Sequence, residues 1–130
     1  MLGKSVFSCL FIVVSSFYSN LSAQNNYPQD YFSSPLDIPL YLAGSFGELR
    51  SNHFHAGIDI KTQGVQGKNV FAAADGYVSR IKVSPYGYGN ALYIIHPNGY
   101  TTVYGHLQKF NKEIADFVKA AQYHKESFEI

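Results

Sequence analysis

The eight residues from His53 to Ile60 constrain this chain more than any other stretch, because they place two histidines and an aspartate beside a glycine. His55 and Asp59 form an H-x-x-x-D pair, and imidazole nitrogen and carboxylate oxygen are ordinary zinc ligands. On a straight strand the two residues would lie about 13 Å apart, too far to bind one ion. The pattern therefore predicts a bend at Gly57. Taken alone, the segment also fits a polar strand with a glycine bulge and a half-buried histidine.

The length and charge of the chain limit what it can be. With 130 residues it is long enough for one domain with a modest core. Its net charge of +1 gives no electrostatic case for a nucleic-acid partner. Aromatic residues make up 16% of the chain, with eleven tyrosines and no tryptophan, which is typical of a β-rich fold that uses aromatic cross-strand pairs.

The N-terminus has the pattern of a secretory signal peptide over residues 1–23. Lys4 precedes an apolar run from Val6 to Val14, and Ala23 offers a small residue for cleavage. The run is too short to span a bilayer comfortably, although an uncleaved membrane anchor is the alternative. Cys9 lies in this segment, and no lipobox precedes it. Cleavage would therefore leave a mature chain with no cysteine and no stable membrane span. Any metal would then be bound by His, Asp or Glu. We expect export to the periplasm, the cell envelope or the extracellular space.

The mature chain is predicted to begin with an extended, proline-bearing lead-in (residues 24–44) and to continue as one β-rich domain (residues 45–130). Near the C-terminus, apolar residues at helical spacing predict an amphipathic helix over 110–122 that packs on the sheet. No repeat or low-complexity segment appears. The other predicted elements are a strand and turn within 41–50, an apolar run over 70–74 closed by an Asp75-Gly76 hairpin turn, a strand over 77–83, a loop over 84–90, and the start of a strand at 127–130.

The clearest predicted hairpin joins residues 91–96 to residues 100–106. A two-residue turn at Asn98-Gly99 would place Tyr93 opposite Tyr104 and Ala91 opposite His106. His106 would then share a face with Tyr93, Ile95 and Tyr104, and His96 would lie on the opposite face. We therefore expect His96 to be a structural or surface histidine, and His124, beyond the helix, to be solvated.

Four sequence blocks in order resemble the motifs of the lysostaphin/LytM-type zinc metalloendopeptidases, which cut peptide cross-links in bacterial peptidoglycan. The resemblance covers residues 45–107. It implies a mostly β fold, with the antiparallel sheets of the duplicated hybrid motif and a groove across one sheet, and it implies Zn²⁺ as cofactor and peptidoglycan peptides as substrate. The blocks are Phe46-Gly47-Glu48-Leu49-Arg50, His55-Ala56-Gly57-Ile58-Asp59, Ala73-Ala74-Asp75-Gly76-Tyr77-Val78 and Tyr104-Gly105-His106-Leu107.

Carried over by residue, the resemblance makes His55 and Asp59 two of three zinc ligands. It makes His106 a catalytic histidine that helps to activate water or to stabilise the tetrahedral oxyanion. Arg50 lies in a family motif without an assigned chemical step, and His53 does not match a family ligand. The bound zinc would lower the pKa of its water towards ~7 and polarise the scissile carbonyl.

The sequence departs from the family pattern after His106, where no H-x-H pair follows to supply the third ligand and a second catalytic histidine. Two protein ligands are fewer than a catalytic zinc site uses, so this chain by itself is expected to hold zinc poorly. We expect a C-terminally incomplete peptidase domain. The alternative is a non-catalytic relative that binds peptidoglycan or regulates another cell-wall hydrolase. A third possibility is a secreted β domain with no function in the cell wall.

Overall fold

The computed structural model describes residues 29–130. Its elements are β1 (Leu42–Gly44), β2 (Asp59–Ile60), β3 (Tyr77–Lys82), β4 (Ala91–Ile95), β5 (Thr101–Tyr104) and α1 (Lys112–Lys125). Strands β1 and β2 form a two-stranded antiparallel sheet, and β3, β4 and β5 form a three-stranded antiparallel meander. The predicted mostly β fold with one helix near the C-terminus is confirmed. The predicted signal peptide (1–23) and residues 24–28 of the predicted lead-in lie outside the described residues.

The core centres on β4, the middle strand of the meander. Ala91 and Ile94 on this strand are buried, whereas the first four residues of β3 are exposed. The predicted strand over 77–83 and the predicted loop over 84–90 are both present. Few apolar side chains are fully covered, so the described part of the chain has a small core. Its buried apolar residues are Leu36, Ala73, Ala91, Ile94 and Val118.

The hairpin between β4 and β5 is present, but its predicted register is wrong by one residue. Tyr104 pairs with Leu92, not with Tyr93. The connection is a three-residue loop, Pro97–Gly99, in which Gly99 has a φ of 84°. A turn followed by a left-handed glycine is the common way to close a three-residue hairpin. The asparagine-glycine pair therefore marks the turn correctly but does not form the whole of it.

The corrected register changes which side chains share a face. His96 lies on the same face as Thr102 and Tyr104, so its predicted separation from Tyr104 is wrong, because a one-residue slip exchanges the two faces. The predicted pairing of Ala91 with His106 is also wrong, since β5 ends at Tyr104. His96 is nonetheless a structural histidine, with only 2% of its surface exposed.

His96 joins the hairpin to the segment before β3 through a continuous set of hydrogen bonds. Its Nδ1 donates to the carbonyl of Asp75 at 2.8 Å, which leaves Nε2 to accept from the hydroxyl of Thr102 at 2.9 Å. The hydroxyls of Thr102 and Tyr104 are hydrogen-bonded at 2.9 Å, and the Tyr104 hydroxyl accepts from the backbone N–H of Ala73 at 2.8 Å. The polar atoms of this buried side chain are thus satisfied, as a stable interior requires.

The apolar run over 70–74 is not a strand. Its backbone groups bond instead to the extended segment that precedes β1: the N–H of Phe71 donates to the carbonyl of Pro35 at 2.9 Å, and the N–H of Ser33 donates to the carbonyl of Ala73 at 2.7 Å. The predicted hairpin turn at Asp75-Gly76 is therefore also wrong, because no strand precedes it.

Gly76 is required by a close approach of backbones rather than by a turn. A Cβ at this position would meet the carbonyl oxygen of Ile95, and it would lie 2.8 Å from Cγ2 of Ile94 and 3.0 Å from Nδ1 of His96. We expect Gly76→Ala to lower the free energy of unfolding by about 1–3 kcal/mol, measured by urea denaturation, since a backbone carbonyl has little room to move. Gly57→Ala is the matched control, because its nearest atom would be 4.0 Å away. Equal midpoints for the two variants would contradict the account.

Helix α1 begins two residues later than predicted and ends three residues later. The side chain of Asn111 caps it by accepting from the N–H of Ile114 at 2.9 Å, and Glu126 ends it with a left-handed φ of 50°. Helix α1 buries Val118, but its predicted packing on the sheet is loose. Phe117 remains 64% exposed, and a cleft of about 350 Å³ separates the helix from β3.

The residues after α1 return to the edge of the three-stranded sheet. Val83 and Ile130 exchange two backbone hydrogen bonds, at 3.1 and 3.3 Å. A reciprocal pair of this kind is the hydrogen-bonded unit of an antiparallel ladder, which agrees with the strand-like start predicted for residues 127–130. Within residues 29–130, no helix combines the length and the apolar character needed to cross a bilayer.

Candidate metal site

A short antiparallel hairpin presents the histidine segment. The N–H of Arg50 donates to the carbonyl of His53 at 2.9 Å, and the N–H of His55 donates to the carbonyl of Glu48 at 2.8 Å. Ser51 and Asn52 make the two-residue connection. Because side chains alternate along a strand, Glu48, Arg50, His53 and His55 lie on one face of this hairpin. The sequence analysis missed this hairpin, although Ser-Asn between two alternating segments is a recognisable turn pattern.

The pairing of β1 with β2 brings Asp59 back towards this face. Asp59 lies opposite Gly44 in the two-stranded sheet, and the chain bends at Gly57, as predicted. The φ of Gly57 is not left-handed, so the bend does not require the left-handed backbone conformation that glycine adopts most easily. As a result, Nε2 of His55 and Oδ1 of Asp59 face each other at 3.3 Å.

The hydrogen bonding of His55 determines which of its nitrogens faces Asp59. Nδ1 lies 2.9 Å from the carbonyl oxygen of Ser45. Since a carbonyl oxygen only accepts, Nδ1 donates to it, and Nε2 is the nitrogen that faces Asp59. Metal-binding histidines are usually held in this way, with the second nitrogen donating to a carbonyl or a carboxylate. His55 is therefore oriented with Nε2 towards Asp59.

The carboxylate of Asp59 is also held by Arg50, which in turn contacts Glu48. Its Oδ2 accepts from Nη2 of Arg50 at 2.7 Å, and the same Nη2 donates to Oε2 of Glu48 at 3.2 Å. Nη2 also lies 3.3 Å from Nδ1 of His55, which carries a proton and cannot accept. The sequence analysis gave Arg50 no role and did not single out Glu48 or Gly44.

His106 is held next to β5 by the loop over 84–90. Its N–H donates to the carbonyl of Tyr88 at 2.8 Å, and its φ of 55° is left-handed. Asn90 bonds both backbone groups of Leu107, because its carbonyl accepts from the N–H and its side-chain amide donates to the carbonyl, each at 3.0 Å. A left-handed non-glycine residue held by its surroundings is found often at functional sites.

An open cleft of about 220 Å³ brings the three predicted site residues together. His55, Asp59 and His106 all line it, and so do Arg50 and His53. His53 is exposed and bonds its neighbour Asn52 through Nδ1 at 2.6 Å. His96 is not among the lining residues, as the sequence analysis expected, and His124 is exposed on α1.

The two predicted ligands fit one tetrahedral ion. Atoms bound at about 2.0–2.1 Å to the same tetrahedral zinc lie about 3.3–3.4 Å apart, and Nε2 of His55 and Oδ1 of Asp59 are 3.3 Å apart. Over residues 29–130, however, no group of three or more His, Cys, Asp and Glu side chains is arranged to hold a metal. The described part of the chain thus brings together two candidate ligands, one fewer than a catalytic zinc site uses.

Comparison with known families agrees with this geometry. The model of Peptidase family M23 matches residues 53–123, which is more than half of the chain. The chain belongs to peptidase family M23. The lysostaphin/LytM-type resemblance drawn from the sequence motifs is thereby confirmed, and the M23 match contains both proposed zinc ligands and His106.

Curated relatives of this M23 chain include proteins named DD-carboxypeptidase/endopeptidase Mpg from Neisseria meningitidis serogroup B and Neisseria gonorrhoeae. Each is 42% identical over 64 residues, which is 49% of this chain and 14% of the relative. The M23 chain therefore spans about one seventh of the length of these relatives. No solved structure matches it.

Proposed function

We propose that the chain is a zinc-dependent peptidase module that acts on peptide bonds of bacterial peptidoglycan, with His55 and Asp59 as zinc ligands and His106 as a catalytic residue. One observation carries the proposal: Nε2 of His55 and Oδ1 of Asp59 face each other at the edge length of a zinc tetrahedron. His106 opens onto the same cleft. Membership of the M23 family and the names of the curated relatives support the peptidase assignment.

When bound, zinc supplies Lewis acidity, which activates a water molecule and polarises a carbonyl at neutral pH. The residues of this chain have separate tasks around it. His55 and Asp59 hold the ion, and the Ser45 carbonyl keeps the imidazole of His55 in the required tautomer. His106, exposed at the edge of the cleft, is placed to move a proton or to stabilise the developing oxyanion.

The substrate class and the compartment are part of the proposal. The endopeptidase and carboxypeptidase names of the Neisseria relatives support peptides as substrates, and the lysostaphin/LytM-type motifs support the cell-wall peptides. The signal-peptide pattern of residues 1–23 supports export. The site needs one more protein ligand than residues 29–130 bring to it, so we expect slow turnover by this chain alone.

The proposal is tested by digesting purified peptidoglycan with the zinc-loaded chain and analysing the released muropeptides by mass spectrometry. We expect slow release of products with cleaved peptide bonds, and its loss when the zinc is removed with a chelator. Release that is unaffected by the chelator would contradict a zinc-dependent mechanism. Cleavage confined to glycan strands would contradict the assignment of a peptidase.

His106→Ala should reduce this turnover about 100- to 10,000-fold while leaving the zinc affinity unchanged, because the side chain acts on the proton and not on the metal. Activity and zinc affinity are measured on the same preparation. His53→Ala is the control, since His53 lines the same cleft without a proposed chemical step. Wild-type turnover by the His106 variant would show that the assigned role is wrong.

A second candidate function is a non-catalytic module that binds peptidoglycan or regulates another cell-wall hydrolase. The observation that favours it is the number of ligands, because residues 29–130 provide two where a catalytic zinc site uses three. This candidate predicts that the chain sediments with peptidoglycan equally well with and without chelator, and that it releases no peptide product. That pair of results would replace the peptidase proposal.

A further inference from the structure

The Arg50 guanidinium gives the two oxygens of Asp59 different surroundings. Oδ2 accepts from Nη2 of Arg50 at 2.7 Å, whereas Oδ1 faces Nε2 of His55 at 3.3 Å. A carboxylate that is free to rotate can bind zinc through either oxygen or through both. With Oδ2 engaged by Arg50, only Oδ1 is left to meet an ion beside His55.

Gly44 provides the space for the contact between Arg50 and Asp59, because it has no side chain. It is buried in β1 opposite Asp59, and a Cβ at this position would meet Nη2 of Arg50 and would lie 2.5 Å from Oδ2 of Asp59. The same Cβ would lie 3.1 Å from Oε2 of Glu48. The contact between Arg50 and Asp59 is therefore built over a glycine, and a methyl group here would push the two side chains apart. Gly44 and Arg50 both lie outside the segment that matches the M23 family model.

A positive charge next to a cation site would be expected to weaken metal binding, but the two carboxylates beside Arg50 outweigh its charge. Arg50 contributes one positive charge, and Glu48 and Asp59 contribute two negative charges within hydrogen-bond distance of it. Glu48 thus offsets the guanidinium, and the group as a whole carries a net negative charge. The three side chains are also 37–48% exposed, so water screens the remaining repulsion.

We propose that Arg50, seated over Gly44 and balanced by Glu48, is the positioning residue that fixes Asp59 as a one-oxygen zinc ligand. The proposal rests on the proposed function, because it assumes that His55 and Asp59 bind zinc. Partners that orient a ligand in this way commonly change metal affinity 10- to 100-fold when they are removed.

The first test compares the zinc affinities of the wild type, Arg50→Gln and Arg50→Lys, measured by competition with a chromophoric chelator. We expect Arg50→Gln to bind zinc about 10- to 100-fold more weakly, and Arg50→Lys to recover most of the loss because a lysine can still reach one carboxylate oxygen. Nε of Arg50 is buried without a hydrogen-bond partner among the described residues. Removing Nε therefore leaves no former partner unpaired. The carboxylates of Asp59 and Glu48 lose the Nη2 donor but are 45–48% exposed to water, so the thermal midpoint of the metal-free protein should move by no more than roughly 5 °C.

The visible spectrum of the Co²⁺-loaded chain separates positioning from a general loss of structure. We expect a weaker absorption in Arg50→Gln, because an Asp59 that is free to bind through both oxygens raises the coordination number of the metal. Gly44→Ala is the second variant and should reproduce the loss of affinity with all charges in place. Lys112→Ala, which removes the exposed contact between Lys112 and Asp116 on α1, is the matched control and should leave the affinity and the spectrum unchanged.

The outcomes distinguish this inference from the proposed function. A wild-type chain that binds no zinc would overturn the proposed metal site itself. A wild-type chain that binds zinc, together with Arg50→Gln and Gly44→Ala variants of unchanged affinity and spectrum, would overturn only the role of Arg50. A loss of affinity that Arg50→Lys does not recover at all would indicate a requirement for the guanidinium shape instead of the orientation of one oxygen.

Discussion

Replacing His55 with alanine should weaken zinc binding at least about 100-fold, because the change removes one of only two proposed ligands that the described residues bring together. The effect should exceed that of Arg50→Gln, which disturbs the geometry of a ligand without removing it. Zinc affinity is measured by chelator competition at a fixed pH, since a histidine must be unprotonated to bind the metal. Asp59→Ala is expected to give a loss of similar size.

His53→Ala is the matched control for this prediction. His53 lies two residues from His55, lines the same cleft and has the H-x-H spacing of a ligand pair, yet its Nδ1 bonds Asn52, and the imidazole paired with Asp59 is that of His55. We expect its removal to change zinc affinity by less than about threefold. If His53→Ala lost zinc while His55→Ala retained it, the ligand assignment would be reversed.

Replacing His96 with alanine should lower the free energy of unfolding by about 2–4 kcal/mol. The substitution opens a cavity in a small core, and it leaves the carbonyl of Asp75 and the hydroxyl of Thr102 without their partner. It also disconnects the hairpin from the segment that precedes β3. Chemical denaturation followed by circular dichroism measures the effect, provided that the transition is two-state.

His124→Ala is the control for the stability measurement, because His124 is exposed in the last turn of α1 and should change the stability by less than about 0.5 kcal/mol. Below the unfolding transition, His96→Ala should bind zinc like the wild type, since His96 is not among the residues that line the cleft. A His96 variant as stable as the wild type would contradict the structural role given to this residue.

Local sequence patterns were sufficient to predict the bend between His55 and Asp59. The requirement that one ion reach both His55 and Asp59 predicts a bend, and the structure has it at Gly57. Motifs in a fixed order also identified the family correctly. These predictions succeeded because each depends on a few neighbouring residues, and the physical constraint acts within the same segment.

Predictions that depend on contacts between distant segments were less successful. The register of the β4–β5 hairpin was wrong, because the asparagine-glycine pair does not specify whether Pro97 belongs to the strand or to the loop. The run over 70–74 has the composition of a strand but bonds to Pro35 and Ser33. Apolar composition indicates that a segment is buried, but it does not indicate which segment its backbone bonds to.

The residues that surround Asp59 could not be predicted from local sequence patterns either. Gly44, Glu48 and Arg50 meet Asp59 only because a tight hairpin and the pairing of β1 with β2 fold the two stretches together. Gly44 has an ordinary backbone conformation, so no turn pattern marks it. Its importance follows from the side chains above it, which only the tertiary structure reveals.

The most direct test of the central claim is the histidine side-chain nitrogen NMR spectrum of the ¹⁵N-labelled chain, recorded during a titration with Zn²⁺. The account predicts that Nε2 of His55 shifts to the position of a metal-bound nitrogen, while its Nδ1 stays protonated on the Ser45 carbonyl. His96 and His124 should not move. A spectrum in which His55 is unchanged while His53 or His124 binds the zinc would contradict the assignment of the metal site.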